Sequence, residues 1–181
     1  MDKKYKKIFV CGVHGVGKST FLREFAETQE HSVYECSQLI KKYSGLEFKE
    51  KQIDNIQGNQ SILLSAVNHF VKEENVVFDG HIVLFTKDKE IQIVDSNVIS
   101  DLQVEKIIFL KASPDLILSR IRKRDSKTWL TADFIEEAQK IELDKVIEYS
   151  ERLEIDYTVY EWCPIVDGWN KKKSDFCFRK K

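Results

Sequence analysis

A chain of 181 residues, 42% of them apolar, fits one domain spanning 1–181 with a substantial buried core. Its 29 basic and 30 acidic residues nearly cancel, so the overall charge gives no reason to expect a polyanion partner. No apolar run approaches the ~20 residues that cross a bilayer, and the lysines at the start lead into a strand rather than a leader helix. The cysteines Cys11, Cys36, Cys163 and Cys177 follow neither a CxxC nor a disulfide-framework spacing. They predict a reducing, cytoplasmic location with no membrane partner.

Lys7 to Cys11 is an unbroken apolar run ending at glycine, the pattern of a strand buried on both faces. A helix is expected from about Gly17, with Phe21, Leu22, Phe25 and Ala26 at core spacings. Ser32 to Cys36 reads as a second strand, after which Ser37 is expected to cap a short helix from Gln38 to about Tyr43. A longer helix is predicted from about Asn59 to Glu74, with Leu63, Ala66, Val67 and Phe70 on one face, followed by a strand from Asn75 to Asp79.

Ile82 to Val94 alternates around Lys87-Asp88-Lys89 and predicts an exposed hairpin. Lys106 to Leu110 is a fourth buried strand. Ser113-Pro114-Asp115 is a helix start with cap, first-turn proline and dipole-matching acid. A last long helix spans about Thr131 to Leu153, and Asp156 to Tyr160 is a fifth strand. Strands alternating with helices predict an α/β fold in three layers, with a five-stranded parallel sheet, a short lid at about 123–130 and a hairpin-like insertion.

Between the first strand and its helix lies Gly12-Val13-His14-Gly15-Val16-Gly17-Lys18-Ser19, a complete P-loop. Its glycines let successive amides, Val16 and Thr20 included, turn toward an anion at a helix N-terminus. Lys18 supplies a mobile charge for the β- and γ-phosphates of ATP or GTP, and Ser19 a hydroxyl for Mg²⁺. A second Mg²⁺ partner should be an acid at a strand end. Asp79 closes a continuous buried strand, whereas Asp95 closes an interrupted one and is expected to cap a turn. His81, at the rim, either meets a phosphate, a water or an acceptor, or is a partly buried histidine bonded to backbone. His14 gets no catalytic role.

Arg120 and Arg124 lie one helical turn apart, with Ile117 and Ile121 turned to the core. Beside a P-loop, their forks suit the charge that spreads over a moving phosphoryl group. The P-loop, Asp79-Gly80-His81, and Pro114 through Arg120 to Arg124-Asp125 together resemble the adenylate-kinase-like nucleotide kinases. The likeness runs over about residues 7 to 160. It is greatest to archaeal-type adenylate kinases and related bacterial P-loop kinases.

The resemblance implies an ATP-dependent phosphotransferase acting on a nucleotide or nucleoside. Lys18, Arg120 and Arg124 would stabilise charge, and Ser19 and Asp79 would handle Mg²⁺. Ser37 to about Asn59 would help form the acceptor pocket, with Ser37, Gln60 and His81 as acceptor-binding candidates. The short lid implies modest closure.

Gln57, Asn59 and Gln60 could read a base edge or cap a helix. Trp129 could approach a ligand or pack the lid onto the core. From Trp162 onward (162–181), a basic stretch carries Trp169, Phe176 and Phe178 among its lysines. It either clamps single-stranded nucleic acid or packs its aromatics and solvates its lysines. Two other functions fit the sequence: a polynucleotide-directed kinase or ATPase, and a low-turnover ATP-binding regulator.

Overall fold

The computed structural model describes residues 4–47, 56–86, 88–165 and 167–172; at 46, 47 and 56–58 it describes the backbone alone. Lys3, Lys87, Gln57's side chain, Cys177 and the stretch with Lys173, Phe176, Phe178 and Arg179 therefore lie outside the described residues, as does 48–55 of the expected acceptor region.

β1 (Lys7–Cys11), β3 (Val76–Asp79) and β6 (Lys106–Lys111) are apolar runs with no period-two alternation, and they form the middle of a sheet covered on both faces. Successive side chains on a strand point to opposite faces, so each strand feeds two cores. Ile8 and Val10 join one with Val77, Ile108 and Leu110. Phe9 and Cys11 join the other with Phe78, Ile107 and Phe109. The first core is closed by α1 (Lys18–Gln29) and α5 (Pro114–Asp125). The second is closed by α2 (Cys36–Glu47), α3 (Ile56–Phe70) and α4 (Ser96–Asp101). The 22-residue α6 (Ala132–Leu153) serves both, giving Ile135 and Ala138 to the first and Val146 and Tyr149 to the second.

With β2 (Ser32–Glu35), β7 (Asp156–Cys163) and β8 (Gly168–Lys172), the sheet order is β2-β3-β1-β6-β7-β8. The chain leaves β1 for strands on one side and later returns to strands on the other. β1 is thus the switch point, beyond whose carboxyl end α/β sheets form their crevice. β4 (Val83–Phe85) and β5 (Ile91–Ile93) make the separate antiparallel hairpin expected around Lys87-Asp88-Lys89. Asp95 caps α4 by accepting from the Asn97 amide, as expected. Ser113 and Thr131 cap α5 and α6.

The three-layer expectation holds with corrections. Among the described residues the five expected strands run parallel, and a sixth joins their sheet. β8 pairs antiparallel with β7, which itself runs on to Cys163. The lysines at 171 and 172 masked this strand, yet at an exposed sheet edge lysine is a favoured residue. Trp169 is opposite Trp162, their rings edge-to-face at 5.3 Å, and a second edge contact joins Trp169 to Phe21. Trp169 is therefore a packing residue and not a free stacking platform for a base. Ser37 does not cap α2; the helix already begins at Cys36, and the Ser37 hydroxyl donates to Glu35 Oε1. α3 begins at Ile56 and stops at Phe70, before Glu74. Trp129 takes the packing option, edge-on to Phe85 and Phe134. Among the described residues, no helix is long and apolar enough to cross a membrane.

Candidate functional site

The P-loop leaves β1 between the ends of β3 and β6 and enters α1 at Lys18. Gly15 sits at φ +86°, and a Cβ there would stand 2.6 Å from Ile121 Cγ1, so α5 can press against the loop only at a glycine. Gly80 has a different reason. A Cβ would fall 2.3 Å from the Phe9 ring, so the chain between Asp79 and His81 lies directly on a buried aromatic.

The Lys18 side chain is nine-tenths covered, and its ammonium is turned back onto protein atoms. It donates to the Gly12 carbonyl at 3.3 Å and to His81 Nε2 at 3.0 Å, and Asp79 Oδ1 stands 3.8 Å away. Burial pushes His81 down to about 3, with Lys18 adding to the effect. The ring is therefore neutral near pH 7 and accepts from the lysine. Burial raises the Asp79 carboxyl above the ordinary range, while Lys18 draws it back.

The two arginines meet the loop differently. Arg120 Nη1 donates to the Val16 carbonyl at 2.5 Å, and its guanidinium lies 4.9 Å over the Trp162 ring. It braces the loop from the side of α1's N-terminus. Arg124 reaches the loop's outer rim, hydrogen-bonded to His14 and forked onto Asp125.

A cavity of about 750 Å³ opens over these groups. One end is the phosphate end, with Gly15 to Thr20, Asp79 and Arg124. The other lies between α2, α3 and the hairpin, and is walled by Ile40, Leu63, Leu84, Val94 and Val98. Ser37, Asn59, Gln60 and His81 supply its polar groups. All three acceptor-binding candidates thus line one cavity with the P-loop; Arg120 does not line it. Cys36 also faces it, but burial pushes its thiol up to about 12, so it is no ready nucleophile.

Two residues of the site escaped the sequence reading. Glu35, register partner of Asp79 at the end of β2, lines the same cavity. The rule that selected Asp79, an acid closing a strand, applies equally to it, but the second strand was read through to Cys36. Glu142 is wholly buried on α6, and its Oε1 accepts from the amides of Ile82 at 3.0 Å and Val83 at 3.4 Å. Its signal was a charged residue at a core spacing.

For Mg²⁺ the oxygen chemistry fits. The exposed Ser19 hydroxyl opens α1, and the Asp79 and Glu35 carboxylates end adjacent strands, all on one cavity. Among the described residues no three His, Cys, Asp or Glu side chains gather as a metal nest. That suits an ion taking most of its ligands from phosphate and water.

Fold and site together define a P-loop protein of the α/β class. The chain belongs to the AAA domain family, whose model matches residues 11–145. No curated protein sequence matches it. Among solved structures it is similar to a shikimate kinase from Bacteroides thetaiotaomicron, at 20% identity and TM-score 0.48, over 87% of this chain and 86% of that one. It is similar to a gluconokinase from Sinorhizobium meliloti 1021, at 16% and 0.48, over 88% and 84%. A shikimate kinase from Acinetobacter baumannii, in complex with shikimate, matches at 15% and 0.50, over 84% and 82%. At these identities the likeness is one of fold.

Proposed function

We propose that the protein is an ATP-dependent phosphotransferase that moves the γ-phosphoryl group to a small acceptor of the nucleotide or nucleoside class. The observation that carries this reading is the single cavity. Its phosphate end holds Lys18 and Arg124, and its other end is a separate apolar compartment with carboxamide and hydroxyl groups. A hydrolase acting on ATP alone has no need of that compartment. Apolar walls with Asn59 and Gln60 suit a nucleobase, in keeping with the likeness of the P-loop, Asp79-Gly80-His81 and the arginine helix to adenylate-kinase-like enzymes.

In this reading the loop amides from Gly15 to Thr20 and the N-terminus of α1 hold the phosphates. Lys18 exchanges its resting contacts with Gly12 and His81 for the β- and γ-oxygens. Ser19 and Asp79 would hold Mg²⁺, which supplies charge neutralisation at the phosphates. Arg124, at the open rim, stabilises charge on the transferring group. Arg120 holds the loop in shape through Val16. Catalysis is then positioning and electrostatics, with no covalent intermediate. A phosphate acceptor needs no base. A hydroxyl acceptor would give its proton to Asp79, with the Glu35 carboxylate alongside.

The test is a screen of γ-labelled ATP against nucleosides, nucleoside monophosphates and RNA ends. Label on a nucleoside or nucleotide is expected, with Lys18→Ala lowering transfer by at least about 100-fold while the protein stays folded. Release of label only as inorganic phosphate across the whole panel would sink the kinase reading.

A further inference from the structure

α6 presents two buried polar side chains one turn apart, Gln139 and Glu142, on the face that packs against the sheet. Each is bonded to the backbone just beyond a strand that builds the site. Gln139 uses both ends of its amide: Oε1 accepts from the Ala112 amide at 3.1 Å, and Nε2 donates to the Ala112 carbonyl at 3.0 Å. Its chemistry matches its partner, one donor and one acceptor.

Glu142 faces a different demand. Ile82 and Val83 offer it two amide donors and no carbonyl, so only an acceptor is wanted. The segment those amides belong to runs from Asp79 through His81 into the hairpin. The hairpin's base is tied at its other end too, since the Val94 amide donates to the Ile82 carbonyl and the Tyr149 hydroxyl, also on α6, donates to the Val94 carbonyl.

We propose that Glu142 is a positioning residue for the phosphate site: by receiving the Ile82 and Val83 amides it fixes the turn that holds Asp79 and His81 beside Lys18. It touches neither ATP nor acceptor and acts through that backbone. The role rests on the kinase reading only for what the turn is used for; the clamp itself is independent of it.

A carboxylate here comes at an energetic disadvantage. Oε2 has no hydrogen-bond partner among the described residues, and burial pushes the group up to about 7. The Ile82 amide, the Lys18 charge and the Val83 and Gly12 amides favour the ionised form against that burial. Of the other titratable groups, the Cys11 thiol that faces it is raised well above its usual range, and the His81 ring, one residue before Ile82, is lowered to about 3. Neither changes charge around neutrality. The Asp79 carboxyl, though raised, is held down by Lys18. An ionised Glu142 accepts the two amides more strongly than a protonated one. The clamp therefore tightens as pH rises through about 7.

Three proteins test this: wild type, Glu142→Gln, which keeps an acceptor oxygen, and Glu142→Leu, which keeps only bulk. Amide hydrogen exchange at Ile82 and Val83 is read across pH 6 to 8, after correction for intrinsic exchange. Steady-state transfer is measured on the same preparations. Protection at these amides should rise with pH in wild type, stay flat in Glu142→Gln and be lost in Glu142→Leu. Transfer by Glu142→Leu should fall on the order of 100-fold in kcat, with the KM for ATP changed less than about threefold, and Glu142→Gln should recover much of it. Equal protection in all three proteins overturns the proposal, as does a Glu142→Leu variant with wild-type kcat. If no acceptor is found, the exchange measurement still decides the clamp, so its failure and that of the kinase reading remain distinguishable.

Discussion

Lys18, Arg120 and Arg124 are all cations beside one loop, yet the chain holds each for a different use. Lys18 is parked on Gly12 and His81, contacts that an arriving polyphosphate can replace. Arg120 is committed to the Val16 carbonyl and the Trp162 face, which fixes its guanidinium before any ligand comes. Arg124 stands half-exposed at the rim, its fork on Asp125 easily exchanged for a phosphoryl oxygen. The two arginines should therefore fail differently on truncation. Arg120→Ala should weaken ATP binding, raising the KM for ATP roughly tenfold, because the loop loses its brace. Arg124→Ala should leave that KM within about threefold and lower kcat by roughly 10² to 10³, as for loss of one transition-state donor. Nucleotide titration beside steady-state rates separates them, and identical profiles for the two variants would refute the division.

At the scale of elements, the site depends on helices pressing on loops. α5 is the clearest case. Its N-terminal Ser113-Pro114-Asp115 sets where it starts, and Ile117 and Ile121, one turn apart, turn one face into the core. The same turn spacing then delivers Arg120 and Arg124 to the P-loop. Ile121 is 2% exposed and meets the loop at Gly15. Ile121→Ala should destabilise the fold by about 2–5 kcal/mol, from lost burial and the cavity left behind. It should also loosen the loop at Gly15. Denaturant unfolding gives the first, and ATP affinity at a temperature where the variant remains folded gives the second; a loss below about 1 kcal/mol would mean the neighbours collapse into the space.

How much of this was legible in the sequence differs by kind of residue. The P-loop, the central strands, the hairpin and the α5 cap announce themselves because their cause is local: glycine spacing, unbroken apolar runs, a capping serine before proline. β8 did not, since Gly168 to Lys172 is a strand only by virtue of the β7 edge it pairs with and the Trp162–Trp169 contact across that pair. Ser37 as a cap failed because α2 starts directly from the strand, at Cys36 rather than Gln38, leaving its hydroxyl to Glu35. Glu35 was missed only because its strand was read one residue too far, to Cys36. Glu142 was hidden for a reason related to that of β8: its meaning depends on what the fold sets opposite it, two amides about 60 residues away in the chain.

For the whole molecule, Glu142 sets activity and stability in opposition. Its folded-state pKa of about 7 lies above the ordinary 4.5, so between those values the native protein holds a proton that the unfolded chain has released. The stability this group contributes is fully present below about pH 4.5 and is lost as pH rises through about 7, after which it changes no further. The full difference is on the order of 3 kcal/mol. Glu142→Gln, which has no proton to lose, should not show this decline. Relative to wild type, the variant should gain stability steadily as pH is raised from 4.5 to 7, and the gap should be constant above about pH 7.5. Taking the difference between the two proteins cancels every titration they share. Urea unfolding at half-unit pH steps measures it, and a gap that does not vary with pH would mean that burial does not hold the proton on the carboxyl as described. The same ionisation that weakens the fold strengthens the acceptor for Ile82 and Val83. An apolar side chain there would leave the Ile82 and Val83 amides unpaired in the interior, so the position calls for an acceptor even though its ionisation costs stability.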